Sequence, residues 1–319
     1  MEFLPHEKQI QEYEKTIAQL KESGRHLNEK DIGDLEKNLV KLRARVYENL
    51  TAWERVTICR HPARPHSIDY IKNICVDFVE IFGDRNYADD HAIITGFAVI
   101  GGKKCLVVAQ EKGSNTEQRV WRNFGMPHPE GFRKALRVMK LAEKFHLPVV
   151  CLVDTPGAYP GLTAEERGQA WAIAENLRAM SVLKTPIVVV VIGEAASGGA
   201  LAIAVGDSIG MLENSYYSVI TPEGCASILW KDAAKAKEAA EALKLTAKDA
   251  KELEIIDEIL PEPRGGAHYD PAAVYTEVRN FIVGAFEFLS KIPTNVLLER
   301  RYAKFRRLGR CATDTDSRP

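Results

Sequence analysis

The sequence predicts an α/β fold built around a parallel sheet, and two similar stretches carry this prediction. The first, Pro186–Ala204, contains the unbroken apolar run Ile187–Ile192, followed after Gly-Glu by the small residues Ala-Ala-Ser-Gly-Gly-Ala. Such a run is typical of a strand that is buried on both faces of a parallel sheet. The second stretch, Pro148–Gly161, repeats the arrangement with the apolar run Val149–Val153 and a loop rich in Gly and Pro.

The segment between these two predicted strands has the spacing of a helix. Within Ala164–Met180, apolar residues recur at steps of one turn, at Ala170, Ile173, Ala174, Leu177 and Met180. A strand, a helix and a second strand with short connections form a right-handed βαβ unit. Both glycine-containing loops therefore fall at the carboxyl edge of one sheet, which is where ligands bind in folds of this kind.

The residues that follow the second strand favour a site made of backbone N–H groups. Gly198, Gly199 and Ala200 begin a predicted apolar helix, whose first N–H groups have no partner inside the helix and lie at the positive end of its dipole. Glycines also let a ligand approach the backbone closely. We therefore expect this turn to bind a negatively charged or polarised oxygen.

The composition is that of an ordinary globular chain of 319 residues. A hydrophobic fraction of 45% allows a sizeable core, and a formal net charge of −1 gives no reason to expect nucleic acid or an anionic membrane as a partner. No apolar run approaches the roughly 20 residues of a membrane span, and neither a signal peptide nor a transit peptide is visible. The six cysteines form no C-x-x-C pair. We therefore expect a cytoplasmic chain without a metal site or a disulfide framework.

Residues 1–66 are predicted to form an N-terminal helical region, made of a hairpin and a connector. Two series of apolar residues at helical spacing, separated by Gly24, give each arm one narrow stripe. The stripes pack either on this chain or on another one. In the connector, Arg60, His61 and Arg64 form either an anion site or a solvated turn.

Residues 67–290 are predicted to form the main domain, and residues 291–319 a basic tail that is partly disordered, after about Gly309. The main domain is expected to begin with a helix over Ile68–Phe82 and to continue with a β-hairpin and further helices and strands. The predicted elements are the hairpin Ala92–Ile100 with Lys104–Gln110, helices over 130–146, 231–243, 246–253 and 272–289, and strands within 209–220.

A long loop, Glu111–Gly131, is expected to line a site. It carries the basic residues Lys112, Arg119 and Arg122 beside two aromatic residues. Loops of this length inside a compact domain are usually functional or disordered, and the aromatic content argues against disorder.

Several familiar kinds of site lack essential residues. The D-T-P-G at 154–157 resembles a GTPase motif, but the chain has no G-x-x-x-x-G-K-[ST] phosphate loop, and neither glycine stretch matches G-x-G-x-x-G. Ser197 stands where a Clp-type protease would carry its nucleophile. However, Ala195 replaces the first Gly of a G-x-S-x-G elbow, and the next histidine is His268. Close packing explains the small Ser197 better than nucleophilic catalysis does.

The remaining hypothesis is a pair of oxyanion holes without a nucleophile, as enolate chemistry on a thioester requires. The strand, glycine turn and helix resemble the crotonase-like fold of acyl-CoA enzymes. Six segments resemble more closely one family, the carboxyltransferase α subunits of bacterial-type, multi-subunit acetyl-CoA carboxylase. They are RHPARP (60–65), NFGMPHPEGFRKA (123–135), DTPGAYPG (154–161), EERGQ (165–169), GEAASGGALAI (193–203) and SVITPEGCASILWK (218–231).

The resemblance implies a crotonase-like (ClpP/crotonase) ββα superhelix with an N-terminal helical hairpin. It implies transfer of the carboxyl group from carboxybiotin, carried on the biotin carboxyl carrier protein, to acetyl-CoA, giving malonyl-CoA for fatty-acid synthesis. The partners it implies are biotin carboxylase and a β subunit with a four-Cys zinc ribbon, the latter in an α2β2 heterotetramer. Zinc would then belong to the β subunit, and carboxybiotin would be a co-substrate rather than a group bound covalently to this chain.

Under this resemblance, two oxyanions form in turn, on the biotin ureido oxygen and on the thioester oxygen. We assign the backbone N–H groups of Gly198, Gly199 and Ala200 to the biotin side, with Gly157 and Ala158 forming the adjoining wall. The thioester side would come mainly from the β subunit, and the biotin ureido nitrogen would act as the base.

Five basic residues are candidates for binding CoA phosphates or for the subunit interface, with a solvated charge as the alternative for each. They are Lys112, Arg119, Arg122, Arg133 and Lys134. A rival interpretation of the whole chain is a structural or regulatory subunit, in which the glycine turns serve only close packing.

Overall fold

The computed structural model describes residues 4–22 and 29–309, and within them eight strands form one mixed sheet. The strand order is β1-β2-β3-β4-β5-β6-β8, and β7 also pairs with β5. The strands are β1 (Val76–Glu80), β2 (Ile93–Ile100), β3 (Lys103–Gln110), β4 (Val149–Thr155), β5 (Ile187–Ala196), β6 (Ser208–Leu212), β7 (Tyr216–Ser218) and β8 (Glu258–Leu260).

The helices surround this sheet on both faces and at its ends. They are α1 (Lys8–Glu22), α2 (Glu29–Glu48), α3 (Ala52–Cys59), α4 (Ser67–Ile74), α5 (Thr116–Trp121), α6 (Pro129–Lys144), α7 (Leu162–Glu166), α8 (Gln169–Val182), α9 (Ser197–Leu201), α10 (Pro222–Trp230), α11 (Ala236–Ala242), α12 (Ala247–Glu252), α13 (Pro271–Leu289) and α14 (Thr294–Arg306). Single turns of 3-10 helix lie at Pro5–Glu7, Asn123–Gly125 and Ala233–Lys235.

The predicted βαβ unit is confirmed. Strands β4 and β5 pair in parallel, α8 connects them, and every residue of both strands is buried. Alternate side chains enter two separate apolar layers. On β4, Val149, Cys151 and Val153 belong to the layer that includes α6 and α8, whereas Val150 and Leu152 belong to the layer that includes α4 and α13. Burial on both faces is the reason why the two strands read as unbroken apolar runs.

The predicted helix over Ile68–Phe82 is wrong in its second half. Helix α4 ends at Ile74, and the following residues form β1, an edge strand that pairs antiparallel with β2. The ring of Phe78 occupies the space where a side chain at Gly96 of β2 would stand, since a Cβ there would lie 2.6 Å from it. This pairing with β2 overrides the helical spacing of the apolar residues.

The predicted β-hairpin is confirmed as β2 and β3, which pair antiparallel from Ile93–Gln110 to Ile100–Lys103. Gly101 and Gly102 both have positive φ angles, of 57° and 78°, as a tight two-residue hairpin turn requires. The expected loop Glu111–Gly131 is less open than predicted, because it contains α5 and a 3-10 turn before α6 begins at Pro129.

The N-terminal hairpin of α1 and α2 is joined to the main domain through the buried Glu7. The Tyr47 hydroxyl of α2 donates a hydrogen bond of 2.6 Å to Glu7 Oε1, and Tyr269, just before α13, lies 3.3 Å from the same oxygen. Ile10 and Ile17 on α1 are buried. The hairpin stripe on α1 therefore packs within this chain.

A buried cation on helix α14 fixes this helix to the main domain. Arg301 is 1% exposed and pairs with Asp207 at 2.7 Å, and it also donates to the carbonyl oxygens of Met180, Leu183 and Thr185. The basic segment thus belongs to the packed structure as far as α14. The disorder predicted near the end concerns residues 310–319, which lie outside the described residues. The domain boundaries near 66 and 290 stay a prediction.

Candidate active site

The two glycine turns lie side by side at the carboxyl edge of the sheet, as predicted. Thr155, the last residue of β4, pairs with Ala195, the second-last residue of β5. The Gly157–Ala158 turn follows β4 directly, and the turn into α9 begins at Ser197. The topology therefore brings together two backbone segments that are about 40 residues apart in sequence.

The backbones of the two turns are in direct contact at Gly199. A Cβ placed on Gly199 would lie 2.5 Å from Ala158 N and 2.5 Å from the carbonyl carbon of Gly157. No flexible side chain is available to yield there, so the position requires glycine. Gly198 differs, because a Cβ there would meet only Ile173, with Cδ1 nearest at 3.4 Å.

Hydrogen bonds of Thr155 fix the first turn, Gly157–Ala158, at the end of β4. Its hydroxyl lies 2.6 Å from the carbonyl oxygen of Gly125 and 2.8 Å from that of Gly157, and it accepts a hydrogen bond from Gly157 N–H at 3.1 Å. Gln169 Nε2 donates to the carbonyl oxygens of Pro127 and Tyr159, at 2.8 Å and 2.9 Å. The turn after β4 is thus held against the 3-10 turn that precedes α6.

The second turn begins a short helix whose first N–H groups have no partner within that helix. Helix α9 begins at Ser197, whose φ is +59°, with Ala196 as the extended N-cap. In an α-helix the N–H groups from the N-cap to the third residue have no partner within the helix, and the fourth donates to the N-cap carbonyl. By this rule the N–H groups of Gly198 and Gly199 lack a partner within α9, whereas that of Ala200 donates to the carbonyl oxygen of Ala196.

Ser197 is not equipped as a nucleophile. Its side chain is exposed, and among the side-chain hydrogen bonds of the described residues none joins its Oγ to a histidine. A serine hydrolase needs such a base within hydrogen-bond reach. The structure thus gives no support to a nucleophile at this position, and close packing as the reason for the small Ser197 stays a prediction.

A cavity of about 290 Å³ lies beside the first turn and reaches the ends of β4 and β5. Pro156 forms part of its wall, and its charged lining is Arg60, Arg64, Lys112, Arg119, Asp154 and Glu194.

The connector residues His61 and Arg64 are each 3% exposed, so the interpretation of the connector as a solvated turn is wrong. A larger cavity, about 420 Å³, lies at the opposite edge of the sheet around Asp207 and Arg301, away from the glycine turns.

A network of buried charges underlies the cavity. Lys112 Nζ lies 2.6 Å from Asp154 Oδ1 and 2.7 Å from Glu194 Oε1. Glu194 Oε2 accepts hydrogen bonds from Arg60 Nε at 2.9 Å and from the Tyr216 hydroxyl at 2.5 Å. Arg60 also pairs with a carboxylate of α10, at 2.5 Å. The network therefore connects the N-terminal connector, both central strands and α10.

These contacts shift the pKa values of the two carboxyl groups downward. Burial alone would raise the pKa of Glu194, but the charges of Lys112 and Arg60 outweigh it and lower that pKa to about 2. Burial is likewise outweighed at Asp154, where Lys112 and His66 hold the pKa below its usual range. Both carboxylates are therefore ionised at neutral pH, and Lys112 is their shared counter-ion.

The five predicted basic residues divide into two groups. Lys112 and Arg119 line the cavity beside the first glycine turn. Arg122 instead donates to the His91 carbonyl at 2.6 Å and lies on the Trp121 ring.

Arg133 and Lys134, on α6, have acidic partners within the chain. Arg133 pairs with Asp84 at 2.8 Å and with Glu130 at 3.0 Å. Lys134 is 1% exposed and pairs with Asp89 at 2.6 Å. These ion pairs account for both charges, so the geometry gives no support to a contact with CoA.

Sequence reasoning missed Glu194 and Tyr216 as parts of the site. A signal for Glu194 was present, because a carboxylate that directly continues an unbroken apolar strand has to be buried and must therefore have a cation nearby. The sequence gives no means of choosing that cation, since Arg60 lies 134 residues away.

Metal clusters and membrane-spanning helices are both absent from the described residues. No group of three or more His, Cys, Asp or Glu side chains is arranged to hold a metal ion there. In the same residues, no helix is long and apolar enough to cross a membrane.

Solved structures with a similar fold include a transcarboxylase, a carboxylase subunit and a malonate decarboxylase. Transcarboxylase 12S, with methylmalonyl-coenzyme A bound, superimposes with a TM-score of 0.59 at 21% identity, over 81% of this chain and 46% of that one. A Pseudomonas malonate decarboxylase hetero-tetramer in complex with coenzyme A gives 0.56 at 16% identity, over 70% and 91%. The fold is therefore that of the crotonase-like carboxyltransferases, as the resemblance implied.

Sequence comparisons identify the family within this class. Residues 3–309 match the family described as acetyl co-enzyme A carboxylase carboxyltransferase-like. The acetyl-coenzyme A carboxylase carboxyl transferase subunit alpha of Protochlamydia amoebophila is 58% identical over 97% of this chain and 98% of its own. That of Chlamydia caviae is 58% identical over 100% and 99%. The chain belongs to the family of acetyl-CoA carboxylase carboxyltransferase alpha subunits, and the expected carboxyltransferase function is confirmed.

The contact between the turns predicts a large effect of one added methyl group. Gly199→Ala should lower carboxyltransferase activity by about 100-fold or more, the loss seen when an oxyanion donor is displaced, because its Cβ would force the turns apart. Gly284→Ala on α13 is the matched control and should keep full activity, because a Cβ there meets nothing within 4 Å. Steady-state assays of both variants in the assembled enzyme, with thermal melts to confirm folding, make the comparison. Equal activity of the two variants would contradict the importance of the contact.

The charge network predicts a pH-dependent loss of stability in Lys112→Met. At about pH 7 the ionised Asp154 and Glu194 lose the lysine that they share. The free energy of unfolding of the variant should therefore be about 3 kcal/mol lower than that of wild type. Carboxylates with a lowered folded-state pKa stabilise the fold above their unfolded pKa, and this stabilisation fades as pH falls. The deficit should therefore shrink toward about pH 4.5, as the variant's carboxyl groups become protonated.

Urea denaturation at several pH values measures this deficit. Lys72→Met, at an exposed position on α4, is the control and should show little change at any pH. A deficit for Lys112→Met that stays constant across this pH range would show that the lysine acts through packing rather than through its charge.

Proposed function

We propose that this chain forms the biotin side of a site that transfers the carboxyl group of carboxybiotin to acetyl-CoA, giving malonyl-CoA. The observation that carries the proposal is the contact of the two glycine turns at Gly199, beside unpaired N–H groups at the carboxyl edge of the sheet. Relatives that cover almost the whole chain are named as alpha subunits of this transferase. The setting we propose is fatty-acid synthesis in the cytoplasm.

The chemistry needs donors rather than an acid–base pair. Release of CO2 from carboxybiotin leaves the bonding electrons on the ureido group, whose oxygen becomes negative. The N–H groups of Gly198 and Gly199 would stabilise that oxygen, while Ala200 and the Gly157–Ala158 backbone form the walls that exclude water. The ureido nitrogen takes a proton from the methyl group of acetyl-CoA, and the resulting enolate attacks CO2 to form the new carbon–carbon bond.

The second oxyanion, on the thioester, requires donors that we assign to a β subunit carrying a zinc ribbon, in an α2β2 complex. The surface around the second turn supports a partner there, because it exposes large apolar side chains. Val219 follows the strand that pairs with Ala196 and is 76% exposed, Trp171 is 72% exposed, and Leu201 lies on α9 itself. Several large apolar side chains exposed near one site favour a protein partner at that site.

Arg119 is the best candidate for a CoA phosphate contact. It lines the cavity beside the first turn and is half-buried, and no ion pair engages it in the described part of the chain. Lys112 shares the cavity, but two carboxylates neutralise its charge, so we assign it to positioning. Arg122 stays a weaker candidate because it is fixed to His91.

Decarboxylation of malonyl-CoA with a soluble biotin derivative tests the proposal. The assay uses this chain alone, a zinc-ribbon β subunit alone, and the mixture, which is expected to be the active sample. Full activity of the β subunit alone would overturn the proposal and favour the rival, a structural subunit. Absence of activity in a mixture that forms a stable complex would also contradict it.

A further inference from the structure

We infer that Gln110 holds the second glycine turn in its working position, and so acts as a positioning residue for the proposed oxyanion donors. This inference rests on the proposed function of that turn. Gln110 is the last residue of β3, lies outside both glycine turns, and is completely buried.

The Gln110 side chain bridges the ends of the two central strands. Its Nε2 donates a hydrogen bond of 2.7 Å to the carbonyl oxygen of Gly199, and its Oε1 accepts one of 3.2 Å from the backbone N–H of Asp154. Strand β3 pairs with β4 but not with β5. The side chain therefore reaches past β4 to the turn that follows β5, and one amide group fixes the turn relative to the end of β4.

The carbonyl group of Gly199 needs such a partner. Helix α9 has only five residues, so its last carbonyl groups have no partner within the helix. The next segment satisfies its neighbours, since Ala202 N–H donates to Gly198 O and Ile203 N–H donates to Ala200 O. A buried carbonyl without a hydrogen bond is costly. Gln110 supplies the missing donor to Gly199 O.

The same bond restricts the most mobile part of the turn. Glycine is required at 199 by the contact with Ala158, but a pair of glycines has more backbone freedom than any other dipeptide. The Gly199 carbonyl is separated from the Gly199 N–H only by the two rotatable bonds of this residue, so a rotation that displaced the carbonyl would also turn this donor away from the ligand. Because Gln110 anchors the Gly199 carbonyl, it limits this rotation without adding a charge near the developing oxyanion.

Asn176 provides a matched control on the neighbouring helix α8. It is also completely buried, and its Nδ2 donates a bond of 3.2 Å to the carbonyl oxygen of Ala202, one residue beyond α9. It thus makes the same type of contact near the same segment without touching a proposed donor residue. A loss of stability without a loss of turnover is the expected effect of replacing it.

The first test compares Gln110→Met with Asn176→Leu in the assembled transferase. In the malonyl-CoA decarboxylation assay, Gln110→Met should lower kcat by about 10- to 100-fold and leave KM for malonyl-CoA within about two-fold, because only the transition state needs the aligned donors. Asn176→Leu should keep kcat within about three-fold of wild type, even if its melting temperature falls as far as that of Gln110→Met. Equal losses of kcat in the two variants, or a change in KM alone for Gln110→Met, would overturn the inference.

A second variant keeps the test decisive if Gln110→Met fails to fold. In Gln110→Glu, a protonated carboxyl group can donate to Gly199 O and accept from Asp154 N–H, whereas the ionised form cannot donate. Burial favours the protonated form. The ratio of variant to wild-type kcat should therefore rise as the pH falls from about 9 to about 6, while the ratio for Asn176→Asp should stay flat.

Three of the neighbouring charges stay constant in this range, and His66, which lies 3.5 Å from Asp154 Oδ2, is common to the variant and the wild type. Asp154 and Glu194 have lowered pKa values and Lys112 has a raised one, so all three keep their charges. A flat ratio for Gln110→Glu would contradict the inference. Wild-type activity in the same assay separates the two questions, because an inactive wild-type complex would instead refute the proposed function.

Discussion

Contact between two stretches of backbone, at Gly199 and at Gly157–Ala158, is the constraint on which the rest of the structure depends. It requires two parallel strands that end side by side, and a residue without a side chain where the turns meet. It also leaves the turn flexible, because glycine restricts the backbone least. The elements around the turns bring the two backbone segments together and then keep them in contact.

Polar groups that are buried beneath the turns largely stabilise this contact. Lys112 lies between Asp154 and Glu194, Arg60 extends the network to α10, and Thr155 fixes the first turn. Buried ion pairs often stabilise a fold no better than apolar side chains of similar volume would. Its members join the ends of the strands that carry the site. We therefore interpret the network as positioning these strand ends more than as stabilising the fold.

The sequence was sufficient for the central strands and for the meeting of their turns, because unbroken apolar runs and parallel topology leave few alternatives. It was not sufficient for β1, where the spacing of the apolar residues suits a helix and only the pairing with β2 decides the outcome. The sequence was also not sufficient to identify the partners of charged residues. Arg133 and Lys134 looked like free cations because Asp84 and Asp89 lie more than 40 residues away.

A structure of this chain with its β subunit and a bound biotin derivative would test the central claim most directly. We expect the ureido oxygen to lie about 3 Å from the backbone nitrogens of Gly198 and Gly199, at hydrogen-bond distance. A ureido oxygen bound elsewhere, with both glycine N–H groups turned toward water or protein, would show that these groups are not the oxyanion donors.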